Sequence, residues 1–310
     1  NCTVYNSGRG NFTQQFKGGI KMVNVTKGTI INNIAIYNKV GILLYNSENN
    51  TLSGNTVNNN TGEGIWLYLS NNNNILGNTA NYNIDYTGSS SFGINLYLSN
   101  NNTISGNTVN NNTGEGIWLY LSNNNNISEN NANNNKRSGI YLLGSDNNTL
   151  SGNTANKNTM YGISLQQSNI NNLSGNTANN NKRSGIDLAV SDNNTLSGNT
   201  ANNNKRAGII FEASSDNNIL SGNTANNNKK SGIDLGGSDK NTLSGNTANS
   251  NNESGIFLYY SYNNNVSGNV ANYDNESGIY LFYSDNNSVV VVLISASNFA
   301  MSLISFFLSP

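Results

Sequence analysis

Three acidic residues recur about one repeat length apart, and acidic groups in such a series could act as a general acid and base. Asp187, Glu212 and Asp234 are separated by 25 and 22 residues. On the outward face of stacked strands, their carboxylates would lie roughly 8 to 10 Å apart. Inverting glycosidases hold their two carboxyl groups about 6.5–9.5 Å apart. The spacing is therefore compatible with cleavage of a polysaccharide, and these residues are the candidate catalytic groups.

The same residues also have a simpler interpretation. A column of side chains that faces solvent must hold polar groups, and no groove or apolar pocket that would raise the pKa of an acid can be read from the sequence. We therefore expect that the chain is not an enzyme and that the three acids are surface residues.

The composition offers few ligands for a metal or cofactor. There is no His, and the single Cys is Cys2, so neither an internal disulfide nor a zinc site of His and Cys ligands can form. One carboxylate per turn is more typical of turn residues that accept backbone N–H groups than of a calcium site. These turn residues are Asp146, Asp192, Asp216, Asp239 and Asp285. We expect no metal and no cofactor.

Charge and residue usage exclude several classes of protein. The chain has 310 residues, a net charge of −1 and only 10% charged residues, so we expect no binding of nucleic acid. Asn accounts for 76 residues, and the only Pro is Pro310. The chain begins with Asn and shows no charged region followed by an apolar one, so we expect a mature or truncated protein.

A repeat of about 23 residues organises the chain. Twelve Gly-Ile pairs recur with steps of 22 to 29 residues, and most steps are 23. Their glycines are Gly19, Gly41, Gly64, Gly93, Gly116, Gly139, Gly162, Gly185, Gly208, Gly232, Gly255 and Gly278. Within a unit, Gly-Ile-x-Leu alternates with period two, and Thr-Leu-Ser and Thr-Ala-Asn are two further strand-like pieces. Three short strands and no helical run predict one coil of a parallel β-helix.

Two absences favour parallel pairing. Asn-Gly, the strongest hairpin signal, never occurs, and no repeat contains Pro, which would remove a ladder N–H. One Asn also recurs in eleven of the twelve coils, from Asn33 to Asn269, which predicts a column of stacked amides. We therefore predict an all-β, single-domain, right-handed parallel β-helix of about twelve 23-residue coils.

The Gly-Ile-x-Leu strand, the Asp-Asn-Asn-Thr-Leu-Ser-Gly-Asn turn and the 23-residue step resemble the parallel β-helix repeat family. That family includes copper-delivery proteins and β-helices that bind or hydrolyse carbohydrate, and its Asn-rich members resemble surface proteins of methanogenic archaea. The resemblance implies the right-handed fold. Copper delivery is disfavoured because the chain lacks His and has only Met22, Met160 and Met301. The Gly-His-Gly, Asn-Thr-Asp and Arg-Ile-Lys motifs typical of polygalacturonases are also missing.

Aromatic residues form one outward column of candidate function. They lie on either side of the middle coils, whose outward residues are polar, and they predict a face for binding or assembly. Cross-strand stacking that only stabilises the sheet is the alternative interpretation. The residues are Trp66, Tyr68, Tyr97, Trp118, Tyr120, Tyr141, Phe257, Tyr259, Tyr280 and Phe282.

Basic residues form a second column, just before the Gly-Ile strand. Stacked like charges repel, so an anion, an acidic sugar or an acidic stretch of a second subunit would stabilise them; the alternative is a solvated cationic edge. The residues are Lys136, Arg137, Lys182, Arg183, Lys205, Arg206, Lys229 and Lys230. Four sequons recur at one turn as candidate glycosylation sites: Asn49, Asn101, Asn147 and Asn193.

The two ends do not follow the repeat. We predict an N-terminal cap over residues 1–18, the β-helix over 19–288, and an apolar tail over 289–310. The tail carries no charge and begins with Val289–Val292, which favours a strand that caps its own β-helix or pairs with the next subunit. A membrane anchor is the alternative, since the tail is long enough to span a bilayer as a helix. The insertion around Asp85–Ser90 is predicted to be a surface loop.

These patterns together favour an extracellular or cell-surface structural protein. We expect self-assembly into a filament, sheath or surface layer, with the protein itself as the main partner. The second interpretation is an adhesin that binds an acidic or neutral surface polysaccharide through the aromatic face. The third is a polysaccharide hydrolase or lyase. Contact with a membrane is expected only if the tail is an anchor.

Overall fold

A computed structural model describes residues 2–5, 18–84, 90–290 and 305–306. The chain divides into two compact units, Asn1–Met160 and Tyr161–Pro310. Within the described residues every regular element is a β-strand, and all strand pairs are parallel. Each unit contains six coils, so the prediction of an all-β parallel β-helix of about twelve coils is confirmed.

Unit 1 has a sheet of longer strands and a sheet of three-residue strands. The longer strands pair in the order β2-β5-β7-β9-β11-β13, the shorter ones in the order β3-β6-β8-β10-β12-β14, and β1 pairs with β4. The strands are β1 Thr3–Tyr5, β2 Gly18–Val23, β3 Thr29–Ile31, β4 Ile34–Ile36, β5 Val40–Tyr45, β6 Thr51–Ser53, β7 Ile65–Tyr68, β8 Asn74–Leu76, β9 Ile94–Tyr97, β10 Thr103–Ser105, β11 Ile117–Tyr120, β12 Asn126–Ser128, β13 Ile140–Leu143 and β14 Thr149–Ser151.

Unit 2 repeats this arrangement. Its longer strands pair in the order β15-β17-β19-β21-β23-β25-β27, and its shorter ones in the order β16-β18-β20-β22-β24-β26. The strands are β15 Ile163–Gln166, β16 Asn172–Ser174, β17 Ile186–Ala189, β18 Thr195–Ser197, β19 Ile209–Glu212, β20 Ile219–Ser221, β21 Ile233–Gly236, β22 Thr242–Ser244, β23 Ile256–Tyr259, β24 Asn265–Ser267, β25 Ile279–Phe282, β26 Ser288–Val290 and β27 Ser305–Phe306.

The Gly-Ile-x-Leu strand supplies most of the core. Ile186 and Leu188 are fully buried, because alternate residues of a strand point to the same side of the sheet. The glycine before the strand leaves no room for a side chain. At Gly185, a Cβ would lie 2.7 Å from the carbonyl oxygen of Ala178 and 2.7 Å from Nδ2 of Asn204. This close approach explains why every coil keeps Gly before Ile.

The third predicted strand of each coil is much shorter than expected. Thr177 and Thr200 pair through one isolated parallel bridge, and so do Thr200 and Thr224. The chain turns on both sides of this position, because Gly175 and Asn180 have positive φ angles of 62° and 60°. Only one residue per coil is therefore extended there.

The predicted Asn column is confirmed as a ladder of buried amides in each unit. In unit 2, Asn199 Oδ1 accepts the backbone N–H and the Nδ2–H of Asn176 at 3.0 and 2.9 Å. Asn199 Nδ2 then donates to Leu173 O and to Asn223 Oδ1, both at 2.9 Å. The Asn199 amide therefore donates to the coils on both sides and accepts from one of them, so its polar atoms are paired.

Sequence reasoning missed three further ladders. A second Asn ladder runs from Asn50 to Asn148 in unit 1, and a third from Asn181 to Asn251 in unit 2, where Asp274 Oδ1 accepts from Asn251. Serine hydroxyls form the fourth ladder: the backbone N–H of Ser191 donates to Ser215 Oγ at 3.2 Å. Four polar columns therefore hold the corners of the coils.

The two predicted terminal segments lie mostly outside the described residues. Of residues 1–18, the structure describes 2–5 and Gly18, and β1 pairs with β4. Of the tail, it describes residues 289–290 within β26, and β27, which pairs with β25. The cap, the assembly tail and the membrane anchor stay predictions, as does the surface loop, whose residues 85–89 are not described. No helix among the described residues has the length and apolar character to cross a membrane.

Removing one amide from the middle of a ladder should destabilise the fold strongly. Asn199→Ala removes the acceptor of the Asn176 backbone N–H and Nδ2–H and one donor to the carbonyl of Leu173, and each buried hydrogen bond lost in this way costs about 1–3 kcal/mol. We expect a loss of about 3 kcal/mol or more in the free energy of unfolding, measured by urea denaturation with circular dichroism.

The matched control is Asn265→Ala, at an exposed strand position. This change should cost less than about 0.5 kcal/mol. Equal effects of the two substitutions would contradict a structural role for the ladder.

Candidate active site

The structure brings the three predicted acids together on one face of unit 2. Asp187 lies on β17, Glu212 on β19 and Asp234 on β21, which are consecutive strands of the sheet. Asp187 and Asp234 share one outward column, with Ile210 between them in register. Glu212 lies in the neighbouring outward column, opposite Ala189. The sequence prediction that these residues share a face is therefore correct.

Asp187 is a deeply buried acid. It is 1% exposed, and the hydroxyl of Ser164 donates to its Oδ2 at 2.7 Å. Burial raises the pKa of Asp187 to about 7; the hydrogen bond from Ser164 lowers it, and the charge of Glu212 raises it. Its other oxygen, Oδ1, is buried without a hydrogen-bond partner, which suits a carboxyl that carries a proton.

Asp234 is similarly shifted but more accessible, with intermediate exposure. Burial raises its pKa to about 7, and the charges of Glu253 and Glu212 raise it further, whereas Lys230 lowers it. Glu212 acts on the pKa of both Asp187 and Asp234, so its carboxylate lies within electrostatic reach of both. Near neutral pH, the site therefore combines a partly protonated acid with a neighbouring carboxylate.

Tyr161 and Arg183 form the cationic side of this cluster. The Arg183 Nη1–H donates to the Tyr161 hydroxyl at 3.2 Å, and the guanidinium carbon lies 5.5 Å from the centre of the Tyr161 ring. Burial raises the pKa of Tyr161, and the charge of Asp187 raises it further. Arg183 in turn lowers the pKa of Asp187, so it lies within electrostatic reach of the buried acid.

Sequence reasoning missed Tyr161 and Ser164 as members of the cluster. A signal was present, because the position before the Gly of each strand holds a small residue in the other coils of unit 2. Tyr161 replaces the Ser184, Ala207, Ser231 or Ser254 found there. An aromatic residue at a position that otherwise holds a small one is thus a better sequence signal for this cluster than the three acids alone.

The remaining basic residues line the corner before the strand. In unit 2, Lys182, Lys205 and Arg206 are exposed, and Lys230 Nζ pairs with Glu253 Oε1 at 3.1 Å. A polar cleft of about 400 Å³ opens at this corner, lined by Asn side chains together with Lys205 and Lys229. The expectation of an anionic partner for this column stays a prediction.

In unit 1, the same column follows a different pattern. Arg137 Nε pairs with the buried Glu115 Oε1 at 3.0 Å, and its Nη1 donates to Ser90 Oγ at 3.2 Å. Arg137 therefore already has an anionic partner within the chain. Lys136 beside it is exposed.

The predicted aromatic face is present in each unit as stacked rings. In unit 1, the ring centres of Tyr68 and Tyr97 are 5.0 Å apart and those of Tyr97 and Tyr120 are 4.9 Å apart. Trp66, Trp118 and Tyr141 lie in the adjacent outward column. These side chains are half-buried, and cross-strand stacking accounts for much of their contact. A binding role for them stays a prediction.

In unit 2, the aromatic rings begin on the strand next to Asp234. Phe257 pairs in register with Asp234, and the rings of Phe257 and Tyr280 stack at 5.2 Å. Tyr259 and Phe282 stack at 5.8 Å in the neighbouring column. The aromatic column therefore borders the acidic cluster directly.

The turn residues lie apart from this face. Asn49, Asn101, Asn147 and Asn193 are exposed with φ angles of 56° to 58°, and their glycosylation stays a prediction. The predicted turn aspartates accept backbone N–H groups. Asp192 Oδ1 accepts from Asp216 at 2.8 Å, and Asp216 Oδ1 accepts from Asp239 at 2.7 Å.

The family comparison agrees with the fold. A model described as the right-handed β-helix region matches residues 1–132 and 83–225, which together exceed half of the chain. The chain belongs to the right-handed β-helix family. Residues 174–298 are also similar to the periplasmic copper-binding protein family NosD. No curated protein matches the chain significantly. The resemblance to archaeal surface proteins stays a prediction.

Several solved structures share this β-helix fold. The periplasmic alginate epimerase AlgG is 15% identical, with a TM-score of 0.66, over 85% of this chain and 72% of that one. The A-module of the mannuronan C-5 epimerase AlgE4 of Azotobacter vinelandii is 18% identical, with a TM-score of 0.61, over 86% and 87%. The DFA-IIIase of Arthrobacter chlorophenolicus A6, without its lid, is 14% identical, with a TM-score of 0.53, over 74% and 66%.

These comparisons correct one prediction. The expectation that the chain is not an enzyme is contradicted, because the similar structures include two epimerases and DFA-IIIase, and we withdraw it. At 14–18% identity, the likeness itself establishes the fold.

The copper named in the second family does not fit this chain. The protein has no His, and no group of three or more His, Cys, Asp or Glu residues in the described ranges could hold a metal ion. Met22 lies in β2 of unit 1, and Met160 precedes β15. Thioether and imidazole ligands for copper are therefore not assembled within the described residues.

The raised pKa of Asp187 predicts that stability falls as pH rises. The folded state binds the proton up to about pH 7, whereas the unfolded state loses it near 4. Stability is therefore full below about pH 4 and is lost as the pH rises to about 7, by on the order of 4 kcal/mol for this group. Asp187→Asn should reduce the dependence of the urea midpoint on pH over this range, and the part that remains is the contribution of Asp234, whose pKa is also raised to about 7.

Ser164→Ala provides a second readout. It removes a hydrogen bond that lowers the pKa of Asp187, so the fall in stability should extend to higher pH. If Asp187→Asn kept the full pH dependence of the unaltered protein, a raised pKa at Asp187 would be excluded.

Proposed function

We propose that the protein is a polysaccharide-cleaving enzyme whose reaction takes place at Asp234 and Glu212. The observation that carries the proposal is the position of these two carboxyl groups. They lie on adjacent strands of one outward face, and the charge of Glu212 helps to raise the pKa of Asp234. Two acids whose environments separate their roles are a common arrangement for cleavage of glycosidic bonds.

Asp234 is the proposed general acid. Its pKa of about 7 keeps it largely protonated in mildly acidic solution, so it can donate a proton to the glycosidic oxygen as the bond to the anomeric carbon breaks. Its intermediate exposure lets a substrate reach it. Asp187 is too buried to touch a substrate, so we assign it a positioning role beside Glu212.

Glu212 is the proposed base or nucleophile. Its carboxylate removes a proton from water as that water attacks the anomeric carbon, or it attacks that carbon directly and water later releases the sugar. In both cases one molecule of water is consumed for each glycosidic bond that is cleaved. The α-carbon atoms of Glu212 and Asp234 are expected about 8 Å apart, from strand spacing and rise. The anomeric configuration of the product, measured by NMR, decides between the two routes.

Elimination at a uronic acid is a second candidate, supported by the cationic corner. Arg183 and Arg206 both act on the pKa of Asp187, so two guanidinium groups lie close to the acidic face. Such groups neutralise a sugar carboxylate while a base removes the proton from the adjacent carbon, a C=C bond forms, and the glycosidic oxygen leaves and takes up a proton. The printed names of two similar structures, alginate epimerase and mannuronan C-5 epimerase, also concern uronic acid polymers.

We propose that the protein acts outside the cytoplasm. Both the second family and AlgG are described as periplasmic, and a polysaccharide is accessible there or at the cell surface. Self-assembly into filaments and adhesion through the aromatic face stay predictions from the sequence. The expected partner is an acidic or neutral polysaccharide.

Substitution of the two reacting acids should remove activity without unfolding the protein. The protein is incubated with alginate, polygalacturonate and a neutral β-glucan, and new reducing ends and unsaturated products are measured. We expect Asp234→Asn and Glu212→Gln each to lower kcat by at least about 100-fold, which is the contribution typical of a general acid or base. The rate of the unaltered protein should fall as the pH rises above about 7, because Asp234 must be protonated.

The control is Asp285→Asn, which alters an exposed turn acid of the same unit. It should leave kcat unchanged. Unsaturated products without hydrolysis would favour elimination. If the purified protein released neither kind of product, or if both active-site variants stayed active, the proposed function would be wrong.

A further inference from the structure

A gap in the outward columns of unit 2 lies beside the acidic cluster. Gly236 ends β21 and pairs in register with Tyr259 of β23, and Glu212 ends β19, the strand on the other side. A Cβ at Gly236 would meet only the carbonyl oxygen of Phe211, at 3.8 Å, and one at Gly237 would meet nothing within 4 Å. The outward face is therefore open above this strand.

Aromatic rings form one wall of the gap. Tyr259 lies directly opposite Gly236 in register, and its ring stacks on Phe282 on the far side. Tyr260 contacts the Tyr259 ring edge to face at 4.5 Å and stacks on Tyr283 at 5.0 Å. Both tyrosines stay 42–43% exposed, because the strand on their other side contributes only glycine. The rings of Tyr259 and Tyr260 therefore have exposed surface that a ligand in the gap could contact.

Glu212 ends β19 on the opposite side of the gap, and its charge helps to raise the pKa of Asp234. The strands of Glu212 and Tyr259 are two steps apart, which is about 9.6 Å at a strand spacing of ~4.8 Å. Atoms in contact lie about 3.5–4 Å apart, so two contacts leave room for one flat ring between the walls. The gap therefore has the width of a single ring.

We propose that this gap is a subsite that holds one uncharged pyranose ring next to the reacting acids. Its ligand class rests on the proposed function. A pyranose offers an apolar C–H face to the Tyr259 ring and hydroxyl groups to the Glu212 carboxylate, which accepts hydrogen bonds only. A uronic acid is disfavoured in this position, because its carboxylate would lie beside the charge of Glu212. The subsite therefore selects a neutral sugar on the Tyr259 side of the cleaved bond.

Filling the gap provides the test. Gly236→Tyr adds a ring where the strand has none, and it should extend the column of Tyr259 and Phe282 without a backbone clash. Binding is measured by calorimetry in an Asp234→Asn background, with cellohexaose, laminarihexaose and mannohexaose as neutral probes and hexagalacturonate as the acidic one. We expect at least one neutral hexasaccharide to bind, and Gly236→Tyr to weaken that binding at least tenfold with an unchanged Tm.

Two matched controls separate the gap from general effects. Ala189→Tyr places the same ring in the same outward column but leaves the gap open. Tyr259→Ala should weaken binding, whereas Tyr82→Ala removes a similarly exposed tyrosine, 49% exposed, from unit 1 and should not. If Gly236→Tyr did not fold, the Tyr259→Ala and Tyr82→Ala pair would decide.

The outcomes distinguish this subsite from the catalytic proposal. Activity that is retained while no neutral hexasaccharide binds, or binding unchanged in Gly236→Tyr, would overturn the subsite and leave the function intact. Binding of a neutral hexasaccharide that is lost in Gly236→Tyr, in a protein that cleaves nothing, would support the subsite and refute catalysis. Preference for hexagalacturonate at the gap would also overturn the proposal.

Discussion

The pairing of buried amides between coils is the interaction on which the rest of the structure depends. A coil of about 23 residues buries only a few large aliphatic side chains, worth roughly 1.5–3 kcal/mol each, against about 1–2 kcal/mol of backbone entropy per residue. Such a coil cannot fold alone. Asn199 shows how stacking solves this, because its side chain pairs with Asn176, Leu173 and Asn223 at once. A composition that is often disordered therefore becomes an ordered solenoid.

This constraint also determines where function can arise. The inward Ile and Leu positions and the corner Asn and Ser positions must be kept in every coil, since each is a partner of the coils beside it. The outward positions of the longer strands have no such obligation. In unit 2, they change from Ser164 and Asp187 to Asp234 and then to Phe257 within a few strands. Chemical variety is thus concentrated on one face, and the site lies where the variety is greatest.

The sequence was sufficient to predict the parts of the structure that repeat. The Gly-Ile-x-Leu period predicted the buried columns, and the Asn after Ser-Gly predicted one ladder, because each signal occurs in nearly every coil. The length of the third strand in each coil was overestimated, because the sequence of a short polar segment does not reveal the backbone angles that make the chain turn at Gly175 and Asn180. The other two Asn ladders were missed, because runs of adjacent Asn do not show which residue faces inward.

The position of the acidic cluster was predicted but its chemistry was not, and the reason is physical. The shared face of Asp187, Glu212 and Asp234 follows from the repeat, whereas the raised pKa of Asp187 comes from burial that a strand pattern does not show. Outward residues were taken to be solvated, yet Asp187 is covered on its outward side and bonded to Ser164. A buried acid with a raised pKa lowers the stability of the folded protein at pH values above that pKa. The repeat uses many uncharged residues, so the fold did not require an acid at this position. Glu212 acts on the pKa of both Asp187 and Asp234, so the three acids form one electrostatic unit and not one polar surface among many.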